Sequence, residues 1–182
     1  MNRLLLVRHA EATSACRDAE LTAIGRKQAE AVARRLRGWS FDAAWSSDLR
    51  RANETAEVIM QGRDALPLQL TAALREVEVP TEIGNAGPQS EQYARWEKET
   101  IEALARSLSM WLSVVDRSQG ERHSTTLVVS HGGPLRVLLC LLLGLPPEMH
   151  WSFRLDHAGI TIVERGDDMG TITLLNDRCH LG

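Results

Sequence analysis

Apolar residues fall into short runs that alternate with segments of helical spacing. Residues 3–7, 41–47 and 125–130 are compact apolar runs that predict strands, the first buried on both faces. Two further runs, 159–166 and 170–176, predict a final pair of strands joined by a polar turn. Because helical segments separate the earlier strands, the pattern predicts an α/β fold with a largely parallel sheet.

Capping residues and apolar spacing place the helices. Thr22 and Gly38 are residue types that begin and end a helix, and Ser47 and Gly62 bracket a second one. An apolar stripe at helical spacing predicts a long helix over residues 90–115.

The chain of 182 residues shows no repeat, linker or low-complexity tract, so we expect a single domain over residues 1–182. A short strand and loop lead to Glu76, and residues 80–87 carry turn residues without a clear period. We expect residues 77–115 to form a helical insertion that covers the functional site, with 77–100 setting specificity.

Composition excludes several classes of protein. The formal net charge of −3 argues against a general nucleic-acid binder. Cys16, Cys140 and Cys179 are widely spaced and odd in number, so neither a disulfide framework nor a zinc site is indicated. The apolar run 135–145 is too short to span a bilayer, and charge follows the N-terminal apolar run too early for a signal peptide. We therefore expect a cytoplasmic protein without membrane or nucleic-acid partners.

Two predicted strands end in a histidine. The segments LLLVRH and TLVVSH end at His9 and His131. Ligands of open α/β sheets bind outside the carboxyl ends of the strands, so both histidines should meet at one rim.

Residues that favour anions accompany these histidines. Gly132 and Gly133 would let a ligand approach the backbone at a helix N-terminus, although a tight turn alone would use the same residues. Arg50 and Arg51 also open a helix, where the macrodipole favours acids. We expect one arginine to bind an anion such as phosphate and the other to form a solvated surface pair.

Other site types are not found in the sequence. It contains no GxxxxGK[ST], GxGxxG, GxSxG or HExxH segment and no cluster with metal-ligand spacing. Histidines and arginines around an anion pocket instead indicate a histidine nucleophile that accepts a phosphoryl group. This chemistry also needs cations for the phosphoryl oxygens and an acid for the leaving group.

The segments VRHAEAT, LTAIGRKQA, SSDLRRANETA, LREVE and VVSHGG, in this order, resemble the histidine phosphatase, or phosphoglycerate mutase-like, superfamily. The resemblance covers residues 3 to about 138 and implies a three-layer α/β/α sandwich with a mostly parallel sheet, without a metal or other cofactor. It also implies the site residues: His9 as phosphorylated nucleophile, Arg8, Arg51 and His131 as ligands of the phosphoryl group, Glu76 as proton donor, and Gly132 as a backbone ligand. The family's cation directly precedes the alanine of the motif, which selects Arg51 over Arg50.

The sequence departs from the family pattern at two positions. Ala10 stands where a glycine is usual, and Ala15 where many members have an asparagine that contacts phosphate. We expect Ser14 or Thr13 to replace that contact, and Glu11 to support the loop without transferring protons.

The leading hypothesis is a metal-independent phosphomonoesterase acting on a small phosphorylated substrate. Phosphoglycerate mutase is the alternative, disfavoured because the loop between His9 and Leu21 is shorter than in the glycolytic mutases. The presence of His9, Glu76 and His131 together disfavours a non-catalytic phospholigand-binding module. Glu76 and the long segment 90–115 disfavour a phosphohistidine protein phosphatase. The C-terminal LLNDRCHL is similar to the ends of some α-ribazole phosphate phosphatases, which makes that ester one candidate substrate. The oligomeric state is left open.

Overall fold

A six-stranded sheet forms the centre of the computed structural model, which describes residues 2–14, 19–119, 123–166 and 169–182. The strand order is β3-β2-β4-β1-β5-β6. Neighbours from β3 to β1 run parallel, whereas β5 is antiparallel to both β1 and β6. The strands are β1 Asn2–Arg8, β2 Ala43–Ser47, β3 Leu68–Thr71, β4 Thr125–Ser130, β5 Ile160–Arg165 and β6 Gly170–Asp177.

Helices cover both faces of this sheet. They are α1 Ala23–Arg35, α2 Arg50–Met60, α3 Thr81–Ala86, α4 Glu91–Gln119 and α5 Gly132–Leu142. Short 3-10 turns lie at Ala72–Leu74, Pro147–Ser152 and Cys179–Leu181.

The alternation of side chains along β1 explains the layering. Leu4 and Leu6 pack in one buried cluster with residues of α4 and α5. Leu5 and Val7 point to the opposite face, into a cluster with residues of α1 and α2. Each fully buried leucine contributes about 1.5–3 kcal/mol, so this strand is firmly anchored. The predicted three-layer α/β/α architecture with a mostly parallel sheet is confirmed.

One detail of the predicted helices is confirmed, and another is wrong. Thr22 caps α1, since its hydroxyl accepts the N–H of Gly25 at 2.9 Å. The prediction that Ser47 caps the second helix is wrong: Ser47 is the last residue of β2, and α2 begins only at Arg50 after Leu49. Two more residues are needed for the chain to turn out of the sheet.

The segment 80–87, expected to lack a regular period, contains the helix α3. The helix follows Pro80 and has Glu82 in its first turn, where the macrodipole favours an acid, while Ile83 is its buried residue. A six-residue helix with one buried side chain is too short to show periodicity.

Among the described residues, no helix is both long and apolar enough to cross a membrane.

Candidate active site

The two histidines predicted to meet at the sheet rim do so. Parallel pairing of β1 with β4 sets Arg8 opposite Ser130, so the next residue of each strand is a histidine at the same level. The backbone N–H of His9 donates to the Ser130 carbonyl at 2.8 Å. The ring centroids of His9 and His131 are 5.0 Å apart, and both residues are buried.

The hydrogen bonds of His9 define which ring nitrogen is available. Its Nδ1 lies 2.8 Å from the carbonyl oxygen of Ala10, and because a carbonyl only accepts, Nδ1 carries the proton. The Nε2 atom therefore holds a lone pair, which accepts a hydrogen bond from Arg51 Nε at 3.3 Å. This is the tautomer in which an imidazole can act as a nucleophile.

Burial keeps both imidazoles neutral. It lowers the pKa of His9 to about 3, with smaller contributions from the neighbouring His157, Arg51 and Arg8. Burial likewise lowers the pKa of His131 to about 2, and the nearby His9, Arg51 and Arg8 act in the same direction. At neutral pH the site thus presents uncharged histidines beside arginine cations.

The two consecutive arginines at the start of α2 have different surroundings. Arg51 is buried, with 4 % of its surface exposed, and reaches His9. Arg50 is exposed and donates to Glu54 at 2.8 Å and to Glu20 at 2.6 Å. The structure thus places Arg51 beside His9 and Arg50 in surface pairs, while anion binding by Arg51 stays a prediction.

Arg8 ends β1 with its guanidinium held on two sides. Its Nη1 donates to the Leu155 carbonyl at 2.7 Å and its Nη2 to His157 Nε2 at 3.0 Å. Among the described residues its buried Nε has no hydrogen-bond partner. Gly132, the first residue of α5, lies against it: a Cβ there would sit 3.6 Å from the guanidinium carbon.

Glu76 follows the 3-10 turn after β3, and its carboxylate contacts the start of α5. Its Oε2 accepts a long hydrogen bond from the Gly133 N–H at 3.4 Å, and its Oε1 accepts one from Val77 N–H at 3.2 Å. A side chain at Gly133 would clash with the carboxylate, so the missing Cβ creates the space that Glu76 occupies.

His157 is the site residue that sequence reasoning missed. Its ring centroid lies 5.0 Å from that of His9. Because a guanidinium only donates, the bond from Arg8 requires an unprotonated Nε2 on His157. Burial and the Arg8 charge both lower the pKa of His157, which favours this neutral form.

The loop after His9 accounts for one of the two departures from the family pattern. Ala10 is fully buried in the cluster beneath α1 and α2, and its N–H donates to Thr55 Oγ1 at 3.1 Å. Its methyl group therefore packs into the core. Glu11 accepts a hydrogen bond from the Thr22 hydroxyl at 2.7 Å, which ties the loop to α1 as expected. Ala15 lies outside the described residues.

Arg8, His9, Arg51, Glu76 and His157 open into one cavity of about 840 Å³, whereas His131 is fully buried and is not among its lining residues. Ser14 is exposed and lies at its edge, whereas the segment after Glu76 lines it more extensively. No group of three or more His, Cys, Asp and Glu side chains suited to a metal ion occurs within the described ranges. The lining residues are Arg8, His9, Ala12, Ser14, Arg51, Glu76, Val77, Glu78, Val79, Thr81 and His157.

Comparison with known families gives a match over nearly the whole chain. Residues 4–178 match the model of the histidine phosphatase superfamily, branch 1. The chain belongs to this superfamily. The predicted resemblance, which covered residues 3 to about 138, is confirmed and extended towards the C-terminus.

Relatives within the superfamily include phosphatases with different substrates in their names. The chain is 30% identical to phosphoserine phosphatase 1 of Hydrogenobacter thermophilus, over 100% of this chain and 95% of the relative. It is 29% identical to the adenosylcobalamin/alpha-ribazole phosphatase of Escherichia coli, over 97% and 96%. The crystal structure of the alpha-ribazole phosphatase from Shigella flexneri superposes with a TM-score of 0.80 at 26% identity, covering 96% of each chain. The prediction of a phosphoric monoester hydrolase is confirmed at the level of the family and these relatives.

Proposed function

We propose that this chain is a metal-independent phosphomonoesterase that forms a phosphohistidine on His9. The observation that carries the proposal is the state of that imidazole: Nδ1 donates to Ala10, and Nε2 keeps its lone pair beside Arg51. With a pKa lowered to about 3, the ring is neutral at physiological pH and needs no separate base.

The phosphoryl group is held by the cations and donors around His9. Arg8 and Arg51 supply the positive charge that the oxygens require in the transition state. Within the described residues, Arg8 Nε and His131 Nδ1 are buried without hydrogen-bond partners, which supports the predicted role of both residues as ligands of the phosphoryl group. The N–H of Gly132 at the start of α5 adds a backbone donor.

Glu76 donates a proton in the first half-reaction and accepts one in the second. As His9 Nε2 forms its bond to phosphorus, the bond to the leaving oxygen breaks and that oxygen takes the proton of the Glu76 carboxyl group. The resulting carboxylate then accepts a proton from water, whose oxygen attacks phosphorus and breaks the N–P bond. Phosphate leaves, and His9 and Glu76 return to their starting states.

The substrate is a small phosphorylated molecule. Phosphoserine and α-ribazole phosphate are the candidates that the names of the relatives supply. The segment 77–81 lines the cavity, which supports a role for the insertion 77–115 in covering substrate. The wide spacing of the three cysteines, which indicates no disulfide framework, supports a cytoplasmic location.

A panel of phosphate esters, assayed without added metal, tests the proposal. Phosphate release should persist in the presence of a chelator and should be lost in His9→Ala. Interconversion of phosphoglycerates without net phosphate release would instead support the mutase alternative. Tight binding of esters to both proteins without any turnover would support a binding module.

A further inference from the structure

A second cavity adjoins the catalytic one and has a different chemical character. It encloses about 200 Å³, and Glu76, Val77 and Val79 line both cavities. Its remaining lining is mostly apolar and aromatic, contributed by α4, by α5 and by the turn Pro147–Ser152. These residues are Tyr93, Trp96, Glu97, Thr100, Ile101, Leu104, Gly133, Arg136, His150 and Trp151.

Aromatic rings in this cavity are held in place although they are incompletely buried. The rings of Tyr93 and Trp96 lie 5.4 Å apart on α4. Trp151 is 61% exposed, yet its indole N–H donates to Glu97 at 3.0 Å and its ring lies 4.8 Å from His150. A large exposed aromatic side chain fixed by a hydrogen bond is a preformed surface for a ligand.

Arg136 indicates the shape of ligand that the aromatic lining of this cavity would bind. Its guanidinium lies over the Trp151 ring, 4.9 Å from the ring centroid. Among the described residues its buried Nε has no hydrogen-bond partner, so at that atom the stacking contact with Trp151 is not supplemented by a hydrogen bond. The cavity is therefore lined by a planar cation and by aromatic rings, both of which attract flat π-systems.

The position of the second cavity beside Glu76 indicates its role in the reaction. In the proposed function the leaving oxygen takes its proton from Glu76 on the side of phosphorus opposite His9. Since Glu76 lines both cavities, the rest of the leaving group extends from that oxygen into the aromatic one. Resting on the proposed phosphatase reaction, we propose that this cavity is a leaving-group subsite for phosphomonoesters whose alcohol carries a flat aromatic ring.

Three esters of similar leaving-group basicity test the proposal: benzyl, cyclohexylmethyl and propyl phosphate. The wild-type kcat/KM for benzyl phosphate should exceed that for propyl phosphate by about 10–100-fold, from ring burial and stacking. It should exceed that for the bulkier, non-planar cyclohexylmethyl ester by about tenfold.

Variants at Trp151 locate this preference. Trp151→Ala should reduce the benzyl-to-propyl ratio to within about threefold of one, mainly through KM for the benzyl ester, and Trp151→Phe should restore most of it. Met110→Ala is the matched control, because Met110 is an exposed residue of α4 outside this cavity and its loss should leave the ratio unchanged. Equal kcat/KM values for the three esters in the wild-type protein would overturn the subsite.

Binding measurements separate failure of the subsite from failure of the catalytic proposal. Absence of hydrolysis for all esters would contradict the phosphatase reaction and not the cavity. Calorimetry with phenethylphosphonate and butylphosphonate, which cannot be hydrolysed, then tests the cavity alone. Binding of the aromatic phosphonate at least about tenfold tighter, lost in Trp151→Ala, supports the subsite, and equal affinities overturn it.

Discussion

The two sides of Glu76 are built in contrasting ways. On one side, Arg8 and His9 continue a buried central strand, and His131 follows the neighbouring one. On the other side, Trp96 and Trp151 belong to α4 and a 3-10 turn, and they remain partly exposed. The phosphoryl side is thus fixed by the core of the sheet, whereas the leaving-group side is assembled from surface elements.

This contrast predicts how the two sides respond to change. The phosphoryl group is common to all substrates, so a change on that side should alter the rate for every ester. The leaving group differs between substrates, so a change on the aromatic side should alter the ratio between esters.

Replacing Arg51 should have the largest effect. Arg51→Gln removes a buried cation from the phosphoryl side, and kcat should fall about 10²–10³-fold for every ester, as when one transition-state donor is removed. Arg50→Gln is the matched control one residue earlier, where the guanidinium pairs with Glu20 and Glu54. Its kcat should stay within about twofold of the wild-type value. Similar losses in the two variants would contradict the assignment.

Acid should destabilise the protein through the buried histidines. Their folded-state pKa values, about 3 for His9 and about 2 for His131, lie below the unfolded value of 6.5, so the unfolded chain binds more protons as pH falls below 6.5. Stability from these groups is complete above pH 6.5 and is lost towards pH 3, by roughly 1.4 kcal/mol per pH unit for each histidine.

Urea unfolding between pH 7 and pH 5 measures this loss. His9→Asn should reduce the pH dependence of the free energy of unfolding by the share of one histidine. An unchanged slope in that variant would show that His9 is not held neutral in the folded protein.

Gly133→Ala should displace Glu76. The new methyl group would overlap Oε1 of the carboxylate, which would have to rotate away from the leaving oxygen. We expect kcat for alkyl esters to fall about 10–100-fold, and less for para-nitrophenyl phosphate, whose leaving group needs no proton. Gly38→Ala is the control, because a Cβ at Gly38 meets no atom within 4 Å. Equal losses for both kinds of ester would argue against a proton-donor role.

His157 should have the smallest effect, through Arg8. His157→Phe removes the acceptor that orients the Arg8 guanidinium, and KM should rise about tenfold for every ester, the value of one charged hydrogen bond. His157→Asn, which offers another acceptor, should recover part of this loss. A change in KM confined to esters with aromatic leaving groups would contradict this role, because it would place His157 on the leaving-group side of Glu76.

The residues on the phosphoryl side were largely predictable from sequence, because a residue that directly follows a buried strand lies at the edge of the sheet. Two apolar runs ending in histidines, in parallel neighbouring strands, place His9 and His131 at the same level whatever the loops do. The choice of Arg51 over Arg50 came from the family motif, and the reason lies in burial that only the packed helix provides.

Sequence could not place His157, since nothing local marks it. It reaches Arg8 because β5 pairs antiparallel with β1, and because Ala158, at a φ of 56°, turns the chain so that its N–H donates to the Arg8 carbonyl. The aromatic cavity was equally hard to predict: Trp96 lies in the segment 90–115, whose apolar stripe predicts only a helix, and Trp151 comes from a turn more than fifty residues away along the chain. Contacts across such distances depend on tertiary packing and leave no periodic pattern.

If His9 carries the phosphoryl group between the two half-reactions, a phosphohistidine must form at that residue. Rapid quenching of Glu76→Gln protein mixed with a radiolabelled ester bearing a good leaving group tests it directly, because loss of the base should slow hydrolysis of the intermediate. Label should be bound to the protein through an acid-labile, base-stable bond at His9, and no label should be bound in His9→Ala. Phosphate release without a labelled protein intermediate, or label on another residue, would contradict it.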